Sequence, residues 1–188
     1  DDLVTGVQTC ALPISINGGA GWDTLDYQRP TGISVTMGDG LANDGGAGEG
    51  DNVGSDIERL QGSWTDDVFV GTSADEYILG SIGNDTITGG GGADTLEGND
   101  GNDVFIEGAA ASGTDTFKGG NGTDTVDYSQ RTNAVVVTMG DGTANDGEAL
   151  ENDNFWVMSG GPVENVIGSS AGDTITGDTL ANVLSGGP

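Results

Sequence analysis

Large apolar residues recur along this chain at intervals of nine. Phe69, Ile78, Ile87, Leu96 and Phe105 follow one another without a break, and the residues between them are mostly small or polar. A nine-residue period belongs to neither helix nor strand, so it signals an internal repeat that decides the fold. With each apolar residue taken as the eighth of a nonapeptide, the first place is glycine and the sixth is acidic: Asp67, Glu76, Asp85, Asp94 and Asp103. Gly80–Thr88, Gly89–Glu97 and Gly98–Ile106 add glycine at the fourth place, as Gly83, Gly92 and Gly101. The glycine-rich half is too flexible for regular structure, whereas the polar–apolar–polar half reads as a short strand. Each nonapeptide is thus predicted to be a loop followed by a strand.

The five repeats from Gly62 to Ile106 are in register, and further copies flank them. Gly18–Asp26 has Asp23 and Leu25 in the sixth and eighth places. A small-residue break at Gly108–Ala111 precedes a degenerate copy, Ala110–Lys118, with Gly113, Asp115 and Phe117. Gly119–Asp127 restores the full pattern with Asp124 and Val126, and two copies near the end carry Asp173 and Ile175, then Asn182 and Leu184. A flexible Gly/Asp linker would not place a large apolar residue at the eighth position of all ten copies.

Two excursions interrupt the array. Ile33–Met37 alternates apolar and polar residues, as a half-buried strand does, and Gly38–Gly40 and Asn43–Gly46 read as turns. Ile57–Leu60 reads as a short strand leading back into the repeats. The second excursion copies the first: Val135–Gly142 matches Ile33–Gly40, Ala144–Gly147 matches Ala42–Gly45, and Val163–Ser169 parallels Ile57–Ser63. The predicted organisation is a leader over 1–15, a first repeat with excursion over 16–61, a central array over 62–127, a second excursion over 128–167 and closing repeats over 168–188. Because Gly186–Pro188 opens a repeat, the expectation is a fragment of a longer array.

Composition then narrows the chemistry. The 188 residues include 4 Lys and Arg against 31 Asp and Glu, a formal charge of −27, so nucleic acid is excluded as a partner. Acidic chains with few aromatics are ordinarily disordered, but here the acids are spaced periodically between glycines, which points to convergence on cations. There is no histidine, which removes the commonest general base and the usual zinc ligand sets, and one cysteine cannot form an internal disulfide. No apolar run is long enough for a membrane span. Carboxylates and glycine carbonyls form an all-oxygen donor set, which suits Ca2+ with its 6–8 oxygen ligands.

The three repeats from Gly80 to Ile106 resemble the calcium-binding nonapeptide of the RTX (repeats-in-toxin), or hemolysin-type, family, and the resemblance covers most of residues 16–188. It implies an all-β fold, a parallel β-roll or β-solenoid in which two nonapeptides make one turn and loops two repeats apart stack. It also implies several Ca2+ ions, each shared by two loops through sixth-place carboxylates and loop carbonyls. Carried onto this sequence, Asp67, Asp85 and Asp103 form one row, and Glu76 and Asp94 begin the other. Ions are expected between 67 and 85, between 85 and 103, and between 76 and 94. Gly80, Gly83, Gly89, Gly92, Gly98 and Gly101 shape those loops, and Asp23, Asp115, Asp124 and Asp173 are ligands in the outer copies. Glu76 departs from the pattern by one methylene, and Asn182 departs by losing its charge.

One buried side chain per nine ordered residues does not offset the entropy of ordering them, and crowded carboxylates add repulsion. Folding and calcium binding are therefore expected to be one event. The predicted function is non-enzymatic: a monomeric β-roll segment with calcium and the rest of its parent chain as partners. By resemblance the parent is an extracellular or cell-surface bacterial adhesin, toxin or exoenzyme exported by type I secretion. The competing class is an accessory module for an alginate-like polysaccharide, for which Trp22, Trp64 and Trp156 are the aromatic candidates. The excursion acids Asp44, Glu49, Asp51, Asp56, Asp146, Glu148, Glu151 and Asp153 are either further calcium ligands or a solvated acidic loop. Val4–Ile14 resembles the translation of a sequencing adapter, which marks residues 1–15 as an artefactual or disordered leader in which Cys10 has no role.

Overall fold

The structure, a computed structural model, describes residues 3–5, 13–156 and 161–188. Among these residues there are strands and no helix. Two long sheets face each other. One runs Leu3–Thr5, Thr24–Asp26, Arg59–Gln61, Tyr77–Ile82, Thr95–Asp100, Thr116–Asn121, Asn154–Phe155, with every pairing parallel. The other runs Val183–Ser185, Asn165–Ile167, Thr125–Asp127, Val104–Ile106, Thr86–Thr88, Val68–Val70, Ile33–Thr36, also parallel, and ends in the antiparallel strand Gly45–Gly46. Successive repeats alternate between the sheets, so two nonapeptides make one turn. This is the parallel β-roll.

Register follows directly from the spacing. Leu96 pairs with Ile78, and Ile87 with both Phe69 and Phe105. The partners are eighteen residues apart, and the period-two pleat turns each eighth-place side chain inward. One column is Leu25, Leu60, Ile78, Leu96, Phe117 and Phe155; the facing column is Val35, Phe69, Ile87, Phe105, Val126 and Val166, and all are buried. The aromatic rings continue the contact across both columns, with Phe117 centred 5.7 Å from Phe105 and 5.5 Å from Phe155 in tilted pairs. The break after Ile106 lengthens the step by three residues, pairing Leu96 with Phe117 and Phe105 with Val126. Leu184 is 42% exposed because no described strand lies on its outer side.

The excursions are enlarged coils of the same roll. Ile33–Thr36 joins the second sheet beside Val68–Val70, with Ile33 and Val35 buried and Ser34 exposed, as the alternation predicts. Asn154–Phe155 joins the first sheet beside Thr116–Asn121, and Val136–Thr138 pairs with Thr174–Thr176. The turn expected at Asn43–Gly46 lies further on, at residues 47–49. Asp44 bridges Asp51 and Gly45–Gly46 pairs with Ile33–Ser34, because the Asp44 carboxylate accepts the Thr36 and Val53 N–H groups and pins that segment. In the segment read as a leader, Leu3–Thr5 pairs with Thr24–Asp26. Ser15–Ile16 pairs with Asn52–Val53 and buries Ile16. Cys10 lies outside the described residues.

Candidate metal centre

Stacking places the sixth-place carboxylates in two inner rows, and backbone bonds hold them in line. Asp67 N–H donates to Asp85 Oδ1, Asp85 N–H to Asp103 Oδ1 and Asp103 N–H to Asp124 Oδ1, each at 2.8 Å. In the second row Glu76 N–H donates to Asp94 Oδ1 and Asp94 N–H to Asp115 Oδ1, both at 2.8 Å, then Asp115 N–H to Asp153 Oδ1 at 3.0 Å. Asp23, Asp67, Glu76, Asp85, Asp94, Asp103, Asp115 and Asp124 are all buried. Two glutamates that spacing did not reveal occupy the same place. Glu58 accepts the Asp23 N–H and Glu164 accepts the Asp124 N–H. The available signal was an acid two residues ahead of a buried apolar residue, Leu60 or Val166.

One oxygen of each carboxylate is thus engaged. The fate of the other divides the loops into two kinds. At Asp85, Asp94, Asp103 and Asp124 the Oδ2 atom is buried without a hydrogen-bond partner. At Asp67 it accepts the Ser63 N–H at 2.7 Å, and at Glu76 the Thr72 N–H and hydroxyl close on the carboxylate. Asn182 behaves similarly, accepting the Asp178 N–H at 3.0 Å. The second residue of the loop tracks the difference. Ser81, Gly90, Asn99 and Gly120 have left-handed φ of 85°, 107°, 78° and 119°, whereas Ser63, Thr72 and Asp178 are not left-handed. On the left-handed path no loop N–H reaches the spare oxygen. Asp173 is intermediate, with Oδ2 free but Oδ1 accepting the Ser169 hydroxyl at 2.6 Å.

Backbone carbonyls meet the free oxygens. A Cβ at Gly98 would fall within 3.0 Å of both Asp103 Oδ2 and the Gly119 carbonyl of the next coil, and Gly80 stands in the same way between Asp85 Oδ2 and the Gly98 carbonyl. Gly89 leaves the corresponding space for Asp94. In the fourth place Gly83, Gly92 and Gly101 have φ of 132°, 115° and 147° and lie against the backbone of the preceding coil, where an L side chain has neither the torsion nor the room. Carboxylate and carbonyl oxygens therefore face one another with no donor between them.

The electrostatics match. Burial raises the carboxyl groups of Asp85 and Asp124 to about 7 and that of Asp94 to about 8, with neighbouring carboxylates adding to the rise. Asp103 moves up for the same first reason. Asp67 and Glu76 are raised by burial too, but hydrogen bonds from the loop donors oppose the rise. A hard divalent cation fits the open loops, because it supplies charge to crowded carboxylates and coordinates oxygens that nothing else satisfies. Among the described residues none of the four ion pairs involves these aspartates.

The excursion acids are mostly buried. Asp44, Asp51, Asp146, Glu151 and Asp153 are all nearly inaccessible, so the solvated-loop expectation does not hold for them. Glu107, Glu151 and Asp153 bring one oxygen each within 4.8 Å of one another. Arg131, one of the four basic residues of the chain, is fully buried beside them. Trp22 and Trp64 are half exposed, at 52% and 50%.

Fold and loops together define a calcium-binding β-roll. The family model for the RTX calcium-binding nonapeptide repeat matches residues 15–28, 70–105 and 109–130, in four copies. Those segments carry the pattern of the RTX calcium-binding nonapeptide repeat. Residues 62–69 and 168–188, which the spacing also reads as repeats, lie outside the matched segments. Comparison with curated proteins gives no match. No helix among the described residues is long and apolar enough to cross a membrane.

Proposed function

We propose that this chain is a non-catalytic structural module of an exported protein, and that it folds when it meets calcium outside the cell. The observation that carries the reading is the run of buried, unpartnered carboxylate oxygens at Asp85, Asp94, Asp103 and Asp124, facing the next coil. These residues hold the ions, with the Gly98, Gly119 and Pro162 carbonyls beside the free oxygens of Asp85, Asp103 and Asp124, while Asp67 and Glu76 contribute little. Asp23, Asp115 and Asp173 lie in outer copies and hold ions only where a spare oxygen remains free. Extracellular calcium modules work at roughly 10⁻⁴–10⁻³ M, a range that leaves such a chain unfolded in cytosol and folds it on export. Circular dichroism tests this. The chain in chelator is expected to show coil and in millimolar calcium β-structure; identical spectra in both refute it.

A second reading has one observation behind it. A surface groove of about 380 Å³ places Trp64 beside Gln28, Gln61, Asn99 and Asp100. An exposed indole flanked by amides and a carboxylate can stack on a sugar ring and bind its hydroxyls. Quenching or shift of tryptophan fluorescence on titration with alginate, lost in Trp64→Ala, supports polysaccharide binding; no response leaves the structural reading alone.

A further inference from the structure

At one position of the second row the cation requirement is met from within the chain. The coil carrying Asp115 lacks the first-place glycine, having Ala110 there, and is preceded by the three-residue break. Glu107 at that break is buried, as are Asp115, Glu151 and Asp153. These carboxylates come from the roll and from the excursion that stacks on it. Arg131 enters between them, with Nη2 donating to Glu107 Oε2 at 2.7 Å, to Glu151 Oε1 at 2.5 Å and to Ser112 Oγ at 3.0 Å. The spare oxygens that are free in the open loops are satisfied here. The Ser112 hydroxyl stands 2.6 Å from Glu107 Oε2 and 3.1 Å from Asp115 Oδ2, shared between them, and Asp153 Oδ2 accepts the Tyr128 hydroxyl at 2.9 Å. Backbone bonds fix the arginine on both sides, from its N–H to the Tyr128 carbonyl and from the Ser170 N–H to its own carbonyl. The first excursion repeats the pair, Arg29 to Glu49 at 2.5 Å, at a more open place.

We infer that Arg131 is the resident cation of this position: its guanidinium occupies the space among Glu107, Glu151 and Asp153 that a metal ion would otherwise take. The excursion is thereby docked onto the roll by a buried ion pair, and this coil takes no calcium. A buried group of carboxylates needs a compensating cation, and the guanidinium supplies that charge to two of them through Nη2, while Nε and Nη1 make no hydrogen bond.

The inference rests on the calcium reading of the open loops, and its test separates the two. Calcium bound per chain is measured by equilibrium dialysis for the wild type and for Arg131→Met, with circular dichroism on both. A wild type that binds no calcium ends the reading of the open loops. With calcium bound by the wild type, a folded Arg131→Met holding one more ion supports the inference, and a folded variant with an unchanged count overturns it. Should Arg131→Met not fold in millimolar calcium, the triple variant Arg131→Met, Glu107→Gln, Glu151→Gln decides. Recovery of the fold with the wild-type calcium count supports the inference; continued failure overturns it.

Discussion

Residues 62–79 and residues 80–127 belong to one roll, share one nonapeptide and bury the same apolar column, yet their loops treat the acid differently. In the first stretch Ser63 and Thr72 turn donors onto Asp67 and Glu76, and the carboxylate is satisfied by its own loop. In the second, left-handed Ser81, Gly90, Asn99 and Gly120 leave the oxygen free and aimed at the next coil. The comparison separates sixth-place acids that their own loop satisfies from acids that it leaves open. A left-handed residue four places earlier accompanies the open kind at Asp85, Asp94, Asp103 and Asp124, while Asp173 keeps a free Oδ2 without it.

The largest effect is expected from filling the open cage. Gly98→Ala places a methyl group on Asp103 Oδ2 and on the Gly119 carbonyl, and the cost is about 3 kcal/mol or more. Far-UV spectra of the variant should stay coil-like at calcium concentrations that fold the wild type. Normal folding at wild-type calcium would remove the cage from the account.

The pH response comes next. In the calcium-free folded chain Asp85 and Asp124 titrate at about 7 and Asp94 at about 8, against roughly 3.9 when unfolded. The folded form therefore binds more protons than the unfolded form between those values. Its stability is fully present below about 4 and is lost as the pH rises through 7 to 8. Calcium-stripped protein should gain β-structure as the pH is lowered from 8 towards 5, and the calcium needed for half-folding should fall over the same interval because protons on the same oxygens stabilise the fold in place of the ion. A calcium midpoint independent of pH contradicts the assignment.

A smaller change sharpens the contrast between the loops. Ser63→Gly removes the hydroxyl on Asp67 and permits the left-handed second position at little steric cost, a torsion that an L residue reaches only at about 1–2 kcal/mol. The variant is expected to bind one more calcium ion than wild type, with its stability in saturating calcium nearly unchanged. An unaltered count shows that the torsion does not govern the site.

Much of this was legible in the spacing. The period of nine located the apolar columns from Phe69 to Phe105, and the sixth-place acids came out in the two rows that loops two repeats apart imply. What spacing could not reveal was the sign of φ at residues such as Ser63 and Ser81, since serine occupies both paths. The excursions were harder for a related reason. Their residues are polar enough to read as loops, but Asp44 and Asp146 bury their carboxylates on backbone N–H groups of adjacent segments. Arg131 was overlooked because a lone base in an acidic chain carries no local pattern; its partners Glu107 and Glu151 are 24 and 20 residues away.

Calcium binding by Asp103→Asn and Asp67→Asn, measured side by side by titration calorimetry, tests the central claim. Asp103 has the free oxygen and Asp67 does not. Loss of ligand charge should weaken binding roughly tenfold and remove an ion at the open loop, while the closed-loop variant keeps the wild-type count and midpoint. Equal losses in the two variants, or a loss at Asp67 alone, would contradict the account.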